Sequence, residues 1–258
     1  MKLLFVGDLM GKPGRRALRD HLLDLVDEHR ADYVVVNVEN AAGGFGITPA
    51  VMRELEDLPV DCFSSGNHIW DKKEGLPILD TDPRVLRPAN YPEGNPGHGL
   101  YVGETAAGVP VATINLEGRI FMSPLESPFL AADRLLAGLP AEVRVILVDF
   151  HAEATSEKIA LAHYLDGRVS AVLGTHTHVP TADARVLPGG TAFQTDVGMT
   201  GPWDSVIGMR KDKVVERFLL QTRTSFQVAT GDVRLAGTVI DVDERSGRAR
   251  AIQRIEKP

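Results

Sequence analysis

The sequence predicts an α/β fold with two packed sheets, or with one large mixed sheet, covered by helices. Short apolar stretches of strand length alternate with helical stretches in the first third of the chain and again near residues 143–176. Further pairs of strand-like stretches flank Gly-containing turns and indicate antiparallel hairpins. The chain has 258 residues and lacks repeats and long linkers, so we expect one domain over residues 1–258 with a substantial core.

The first third of the chain predicts a strict alternation of strands and helices. Apolar runs with few charges predict strands over residues 2–8, 32–39 and 60–66. A helix is predicted over 14–30, because leucines recur there at spacings of three and four. Thr48 followed by Pro49 predicts a second helix start, because threonine caps the free amides of a first turn and proline fits that turn.

The remaining elements are predicted from the same signals. A Pro/Gly-rich loop is expected over 87–99, and this loop and the stretch 197–204 are candidate pocket walls, although packing or surface roles are favoured for them. The helix over 155–165 is expected to begin with Thr155 or Ser156 as its cap. The other predictions are two strands within 100–118, strands over 143–150 and 170–176, a hairpin over 184–196, a helical stretch near 204–222 and a closing hairpin over 232–255 with its turn at Ser246 and Gly247.

The composition excludes several classes of protein. A formal net charge of −7 gives no basic surface of the kind that tracks a nucleic-acid backbone. The single cysteine, Cys62, excludes a disulfide framework within the chain and a cysteine-rich zinc site. Asp8 interrupts the first apolar run too early for a signal peptide, and no stretch approaches the roughly 20 apolar residues of a membrane span. A cytoplasmic protein is therefore expected.

Five of the predicted strands end in side chains that can bind metal ions. These side chains are Asp8, Glu39 with Asn40, Asn67 with His68, His151, and His176 with His178. Each ending has an ordinary explanation when taken alone, such as a helix cap, a polar turn or a partly buried histidine. Because the carboxyl ends of parallel strands meet at one edge of a sheet, five coincident endings favour a common site. His176 and His178, two residues apart in an extended segment, would point to the same side.

The chemistry of these side chains indicates a pair of transition-metal ions. Histidine, carboxylate and amide ligands without a thiolate suit Mn²⁺, Fe or Zn²⁺. The candidate ligands number seven, whereas a structural zinc ion takes about four. Two ions about 3.5–4 Å apart, sharing one carboxylate, would account for the larger number and would suit phosphoryl chemistry.

The order of these motifs resembles that of the calcineurin-type metallophosphoesterases. The matching motifs are GD at 7–8, GNH at 66–68, the later His151 and GTHTH at 174–178. Two positions depart from the broad family: Met10 stands where its first motif has histidine, and Glu39 stands where its second motif has aspartate. These departures, together with the stretches GKPGR, RPANYP, DFHAEATSEK and TDVGMTGP, resemble one bacterial subfamily, the YmdB-like proteins, which is associated with 2′,3′-cyclic nucleotide phosphodiesterase activity.

The resemblance implies a two-sheet mixed β-sandwich flanked by helices, in four αββα layers. It also implies that one metal ion binds Asp8, Glu39, Asn40 and His178, and that a second binds Glu39, Asn67, His151 and His176. Glu39 would bridge the two ions, and Asn40 would replace the ligand lost at Met10, which is expected to pack instead. The ions would be Fe or Mn²⁺, with Zn²⁺ as the alternative.

The implied reaction is hydrolysis of a small phosphodiester by a metal-bound hydroxide. His68 is expected to be the catalytic residue that protonates the leaving oxygen or stabilises charge on it, with a role in orienting the metal ligands as the alternative. A 2′,3′-cyclic nucleotide is the first candidate substrate, and 3′,5′-cyclic nucleotides and short RNA ends are further candidates. The alternatives are a phosphomonoesterase or protein phosphatase of the same superfamily, a different metallohydrolase such as an amidase, and a non-catalytic metal-binding regulatory protein. A regulatory RNA-binding protein is a further alternative, against which the net charge of −7 counts. A homo-oligomer is compatible with the sequence.

Overall fold

The computed structural model describes all residues from 1 to 258 and contains twelve strands and six α-helices. The strands are β1 (Lys2–Val6), β2 (Tyr33–Asn37), β3 (Cys62–Ser64), β4 (Leu100–Glu104), β5 (Pro110–Glu117), β6 (Val145–His151), β7 (Ala171–Thr175), β8 (Arg185–Val186), β9 (Ala192–Gln194), β10 (Gly201–Pro202), β11 (Val233–Val242) and β12 (Ala249–Lys257). The helices are α1 (Gly11–His29), α2 (Pro49–Leu55), α3 (Leu76–Thr81), α4 (Pro128–Ala137), α5 (Thr155–Tyr164) and α6 (Lys211–Leu220).

The strands form two six-stranded sheets, which decides between the two arrangements that the sequence left open. The first sheet has the order β10-β11-β1-β2-β3, with β12 beside β11, and its β1, β2 and β3 are parallel. The second sheet has the order β4-β5-β6-β7-β9-β8, and β5, β6, β7 and β9 are parallel. Both sheets also contain antiparallel pairs, so the predicted mixed two-sheet fold is confirmed.

The two sheets pack face to face, and helices cover their outer faces. Apolar residues of β1 and β2 meet apolar residues of β6 and β7 between the sheets, where the thiol of Cys62 is also buried. A second core lies between the first sheet and α1 and α2. A third lies between the second sheet and α4 and α5. Because strands buried on both faces must be apolar throughout, this layering explains the continuous apolar runs of β1, β2 and β6.

The predicted N-terminal cap is present at the start of α2 and absent at the start of α5. Thr48 caps α2 as predicted, since its hydroxyl accepts a hydrogen bond of 3.2 Å from the backbone N–H of Val51. The predicted cap of α5 at Thr155 or Ser156 is wrong. Ala154 precedes the helix without any side-chain cap, and Thr155 is already its first residue.

Other differences concern short or irregular segments. The helices α3 and α4 were not predicted, and the stretch near 204–222 is helical only over α6. The hairpins β8–β9 and β11–β12 are confirmed. No helix is both long enough and apolar enough to cross a membrane.

Candidate active site

The strand ends of both sheets meet at one edge of the sandwich and form two overlapping groups of side chains. Asp8, Glu39 and His178 place one possible ligand atom each within 4.8 Å of one another. Glu39, His151 and His176 do the same. Glu39 belongs to both groups, so its carboxylate can offer a ligand atom to each of two neighbouring metal positions.

Two amide side chains complete these groups. The Nδ2 atom of Asn40 lies 2.8 Å from Glu39 Oε1 and 3.1 Å from His178 Nε2. The Oδ1 atom of Asn67 lies 3.0 Å from His151 Nε2. Because the oxygen and nitrogen of an amide can exchange places, Asn40 can also turn its oxygen toward Glu39 and His178. The structure thus brings together all seven residues that the sequence singled out as ligands, and their binding of metal ions stays a prediction.

The three histidines of the site share one arrangement of their rings. In each ring the outer nitrogen lies within 3.0 Å of an oxygen atom, and the inner nitrogen faces the cluster. Thr175 Oγ1 and Ile207 O accept hydrogen bonds of 2.9 Å from His151 Nδ1 and His178 Nδ1. Glu153 Oε2 lies 3.0 Å from His176 Nε2 as an ion-pair contact. The inner nitrogens of His151 and His176 are only 3.1 Å apart. Outer hydrogen bonds of this kind fix the tautomer and leave an inner lone pair free for a cation.

The buried carboxylates create a strong demand for positive charge. Asp8 is fully buried, burial raises its pKa to about 6, and its Oδ1 atom has no hydrogen-bond partner. Burial would also raise the pKa of Glu39, but the neighbouring His151 lowers it to about 2. Burial would lower the pKa of His151, but Glu39 and Asp8 raise it to about 9. The pocket therefore stabilises a cation between its carboxylates.

The second sheet supplies a buried network behind His151. The hydroxyl of Thr175 donates to Asp149 Oδ1 at 2.7 Å, so it accepts from His151 Nδ1. Asp149 Oδ2 also accepts hydrogen bonds from Asn37 and Ser64 of the first sheet. The network thus joins the two sheets directly beneath the site and orients the His151 ring.

The turn that carries His176 and His178 departs from the prediction. The two residues do not lie in an extended segment, because β7 ends at Thr175 and both have positive φ angles, 98° for His176 and 66° for His178. Asp196 holds this turn by accepting hydrogen bonds from the backbone N–H and the hydroxyl of Thr177, at 3.1 and 2.8 Å. Lys158 Nζ lies 2.7 Å from the same carboxylate, and both charged groups are buried.

The crowding around position 66 explains why the residue before Asn67 and His68 is a glycine. A Cβ atom at this position would lie 2.2 Å from His151 Cδ2 and 2.4 Å from Glu39 Oε2. Only glycine lets the backbone of this turn pass so close to the two side chains. The residues that follow, Asn67–Trp70, form a short 3₁₀ turn.

His68 and Met10 lie beside the cluster without joining it. His68 Nδ1 is 2.8 Å from Asp71 Oδ2, its backbone N–H donates to Glu39 Oε2, and its ring meets Phe45 edge-on with centroids 5.0 Å apart. Met10 is buried and packs with Met199 and Met209, as the sequence led us to expect.

A cavity of about 540 Å³ opens over the cluster. Its polar lining includes Glu39, Asn40, His68, His176 and His178. Its apolar lining comes mainly from two segments that sequence reasoning did not connect with the site. These lining residues are Phe45, Val206, Ile207, Met209, Val214, Phe218 and Phe226, and Arg217 lies among them. Neither loop 87–99 nor stretch 197–204 contributes to the lining.

Comparisons with known proteins agree with this architecture. A sequence model of the YmdB-like protein family matches residues 4–255. A Bacillus subtilis (strain 168) protein named 2′,3′-cyclic-nucleotide 2′-phosphodiesterase is 48% identical over 99% of this chain and 96% of its own length.

Two solved structures are also similar over the whole chain. A protein from Thermus thermophilus, described as hypothetical, has a TM-score of 0.94 and 48% identity over 100% of this chain and 99% of that one. A protein described as a novel phosphatase from Mycoplasma pneumoniae has a TM-score of 0.94 and 34% identity over 100% of this chain and 93% of that one. Matches of this extent and identity leave one assignment: the chain belongs to the YmdB-like protein family.

Proposed function

We propose that this protein hydrolyses phosphodiesters with two divalent transition-metal ions, and that 2′,3′-cyclic nucleotides are its substrates. The observation that carries the proposal is the convergence of three histidine nitrogens on Glu39, while the outer ring nitrogens of His151 and His178 are already hydrogen-bonded and that of His176 faces Glu153. The activity named for the B. subtilis relative supports the choice of substrate.

The residues fit a pair of metal ions. Asp8, Glu39, Asn40 and His178 would hold one ion, and Glu39, Asn67, His151 and His176 would hold the other. The unpartnered Oδ1 atom of Asp8 is a buried acceptor that needs a cation or a donor. Bound there, divalent cations would polarise a phosphoryl oxygen, lower the pKa of water and stabilise both oxygens of an in-line displacement.

The chain's own residues orient the reaction. In hydrolysis of a 2′,3′-cyclic nucleotide, the water oxygen bonds to phosphorus, the bond from phosphorus to O2′ breaks, and O2′ takes up a proton. His68 lines the cavity, and Asp71 holds its ring through Nδ1, which leaves Nε2 without a hydrogen-bond partner in the chain. We assign to His68 Nε2 the delivery of that proton.

Replacing His68 with alanine should lower kcat for 2′,3′-cyclic AMP by about 10²- to 10⁴-fold, the usual contribution of a general acid. The loss with bis-p-nitrophenyl phosphate should be far smaller, because its leaving group needs no proton. Steady-state kinetics with both substrates measure the difference, and His163→Ala, an exposed histidine of α5, is the control. Equal losses with both substrates, or loss of bound metal, would contradict the role as an acid.

Replacing Thr175 with valine should weaken metal binding by about 10- to 100-fold, because His151 loses the acceptor that fixes its tautomer. Competition with a chromogenic chelator measures the affinity without reference to activity. Thr113→Val is the matched control, since this buried threonine lies in β5 and makes no hydrogen bond to the site. Equal affinities of the two variants would refute the role of Thr175.

Metal analysis followed by a substrate screen tests the proposed function. We expect two Fe or Mn ions per chain, with Zn²⁺ as the alternative, and metal-dependent hydrolysis of 2′,3′-cyclic nucleotides above 3′,5′-cyclic nucleotides. Hydrolysis of p-nitrophenyl phosphate alone would favour a phosphomonoesterase, and absence of bound metal would refute the proposal. We also retain as proposals a single domain over 1–258, a cytoplasmic location, RNA ends as further substrates and a homo-oligomer.

A further inference from the structure

The cavity over the site has an apolar side that phosphodiester chemistry alone does not require. Three aromatic side chains, Phe45, Phe218 and Phe226, line it together with aliphatic side chains; we call these three the aromatic wall. The wall begins at the catalytic groups, because Phe45 packs edge-on against His68 with ring centroids 5.0 Å apart. A substrate held at the cluster would therefore extend directly onto these rings.

Part of the wall is exposed to solvent although it is apolar. Phe218 on α6 is 73% exposed, whereas Phe45 and Phe226 are partly buried. Large aromatic surface that faces a cavity and lacks a partner in the chain is typical of a ligand-binding pocket. The cavity, at about 540 Å³, lies within the range of about 300–1,000 Å³ for small-molecule sites.

Arg217 is the only lysine or arginine that lines this cavity. Its guanidinium lies 5.5 Å from the centroid of the Phe226 ring, and it forms no ion pair with a carboxylate. An unpaired guanidinium over an aromatic ring can stack on a second planar group and can attract an anionic ligand. The protein carries a net charge of −7, so this local cation matters for an anionic substrate.

We propose that the aromatic wall and Arg217 form a nucleobase subsite that accepts any of the four bases. Stacking tolerates every base, because each has a planar π face. The three phenylalanine side chains of the wall carry no hydrogen-bonding group that could read the edge of a base. The proposal rests on the proposed phosphodiesterase function, since it names how that site holds the nucleoside part of its substrate.

The test compares 2′,3′-cyclic AMP with glycerol 1,2-cyclic phosphate, which has the same five-membered phosphodiester and no base. In wild-type protein the ratio of their kcat/KM values should favour the nucleotide, and the four cyclic nucleotides should agree within about tenfold. In Phe218→Ala and Phe226→Ala that ratio should fall by at least about fivefold, the lower end of a stacking contribution. Leu219→Ala, equally exposed at 76% on the same helix but outside the cavity lining, should keep the wild-type ratio.

A binding measurement separates base recognition from catalysis. Saturation-transfer NMR with adenosine should show contact of the adenine protons with wild-type protein and with Leu219→Ala, and weaker contact with Phe218→Ala. If wild-type protein hydrolyses glycerol 1,2-cyclic phosphate as well as the nucleotide, the subsite is refuted while the phosphodiesterase function stands. If it hydrolyses neither substrate nor bis-p-nitrophenyl phosphate, the proposed function fails and the subsite fails with it. An unchanged ratio in both phenylalanine variants also refutes the subsite.

Discussion

Replacing Glu39 with glutamine is expected to reduce hydrolysis of 2′,3′-cyclic nucleotides by at least about 10³-fold, because metal ions contribute several kcal/mol to such reactions. The carboxylate of Glu39 belongs to both groups of ligand atoms, which no other side chain of the site does. Glutamine keeps the shape but loses the charge and one of the two oxygens. The metal content should fall from two ions per chain to one or none, as measured by inductively coupled plasma spectrometry.

The control for this variant is another buried carboxyl group close to the site. Glu117 is fully buried, its carboxyl oxygens have no hydrogen-bond partner, and burial raises its pKa to about 7. It belongs to neither group of candidate ligands. Glu117→Gln should therefore keep both ions and most of the activity. If Glu39→Gln retained two ions per chain, the bridging role would be wrong.

Much of the site could be predicted because the relevant signal is local. Asp8, Asn67 and His151 follow or end apolar runs that read as buried strands, and parallel strands of one sheet end at one edge. Periodicity alone did not separate two sheets from one, because that choice depends on which strands pair. The pairing of β1 with β11, more than 200 residues later in the chain, has no local signal.

The supporting residues could not be predicted, because their roles depend on contacts between distant parts of the chain. Thr175 and the carbonyl of Ile207 accept hydrogen bonds from the outer nitrogens of His151 and His178 only once the fold brings them together, and the same holds for the contact of Glu153 with His176. The aromatic wall is similar, since Phe45 and Phe226 are far apart in sequence. For α4 a local signal did exist, with Pro128 in its first turn and Gly138 at its end.

The buried ion pair of Lys158 with Asp196 could not be predicted from the sequence either. Lys158 is the one polar residue of α5 that is buried, and lysine is rarely fully buried unless it is paired. Its partner Asp196 follows β9, 38 residues later. The pair links α5 to the turn of His176 and His178, because Asp196 also binds Thr177.

Replacing Lys158 with methionine is therefore expected to destabilise the protein by about 3–5 kcal/mol, since it leaves the buried carboxylate of Asp196 without its counter-charge. In a chain of this size the loss corresponds to a decrease of about 10 °C in Tm, measured by scanning calorimetry. Lys257→Met, which breaks the exposed pair with Glu28, should cost about 1 kcal/mol or less. Similar Tm values for the two variants would contradict the importance of the buried pair.

The double variant Lys158→Met with Asp196→Asn separates stability from positioning. It removes both buried charges, so most of the lost stability should return. Asparagine offers one acceptor oxygen, whereas the carboxylate of Asp196 uses one oxygen for Thr177 and the other for the backbone N–H of Gly198. The turn with the positive φ angles of His176 and His178 should then loosen, and metal affinity should be lower than in the wild-type protein although Tm recovers. Recovery of both quantities together would mean that the pair contributes stability alone and does not hold the histidines in place.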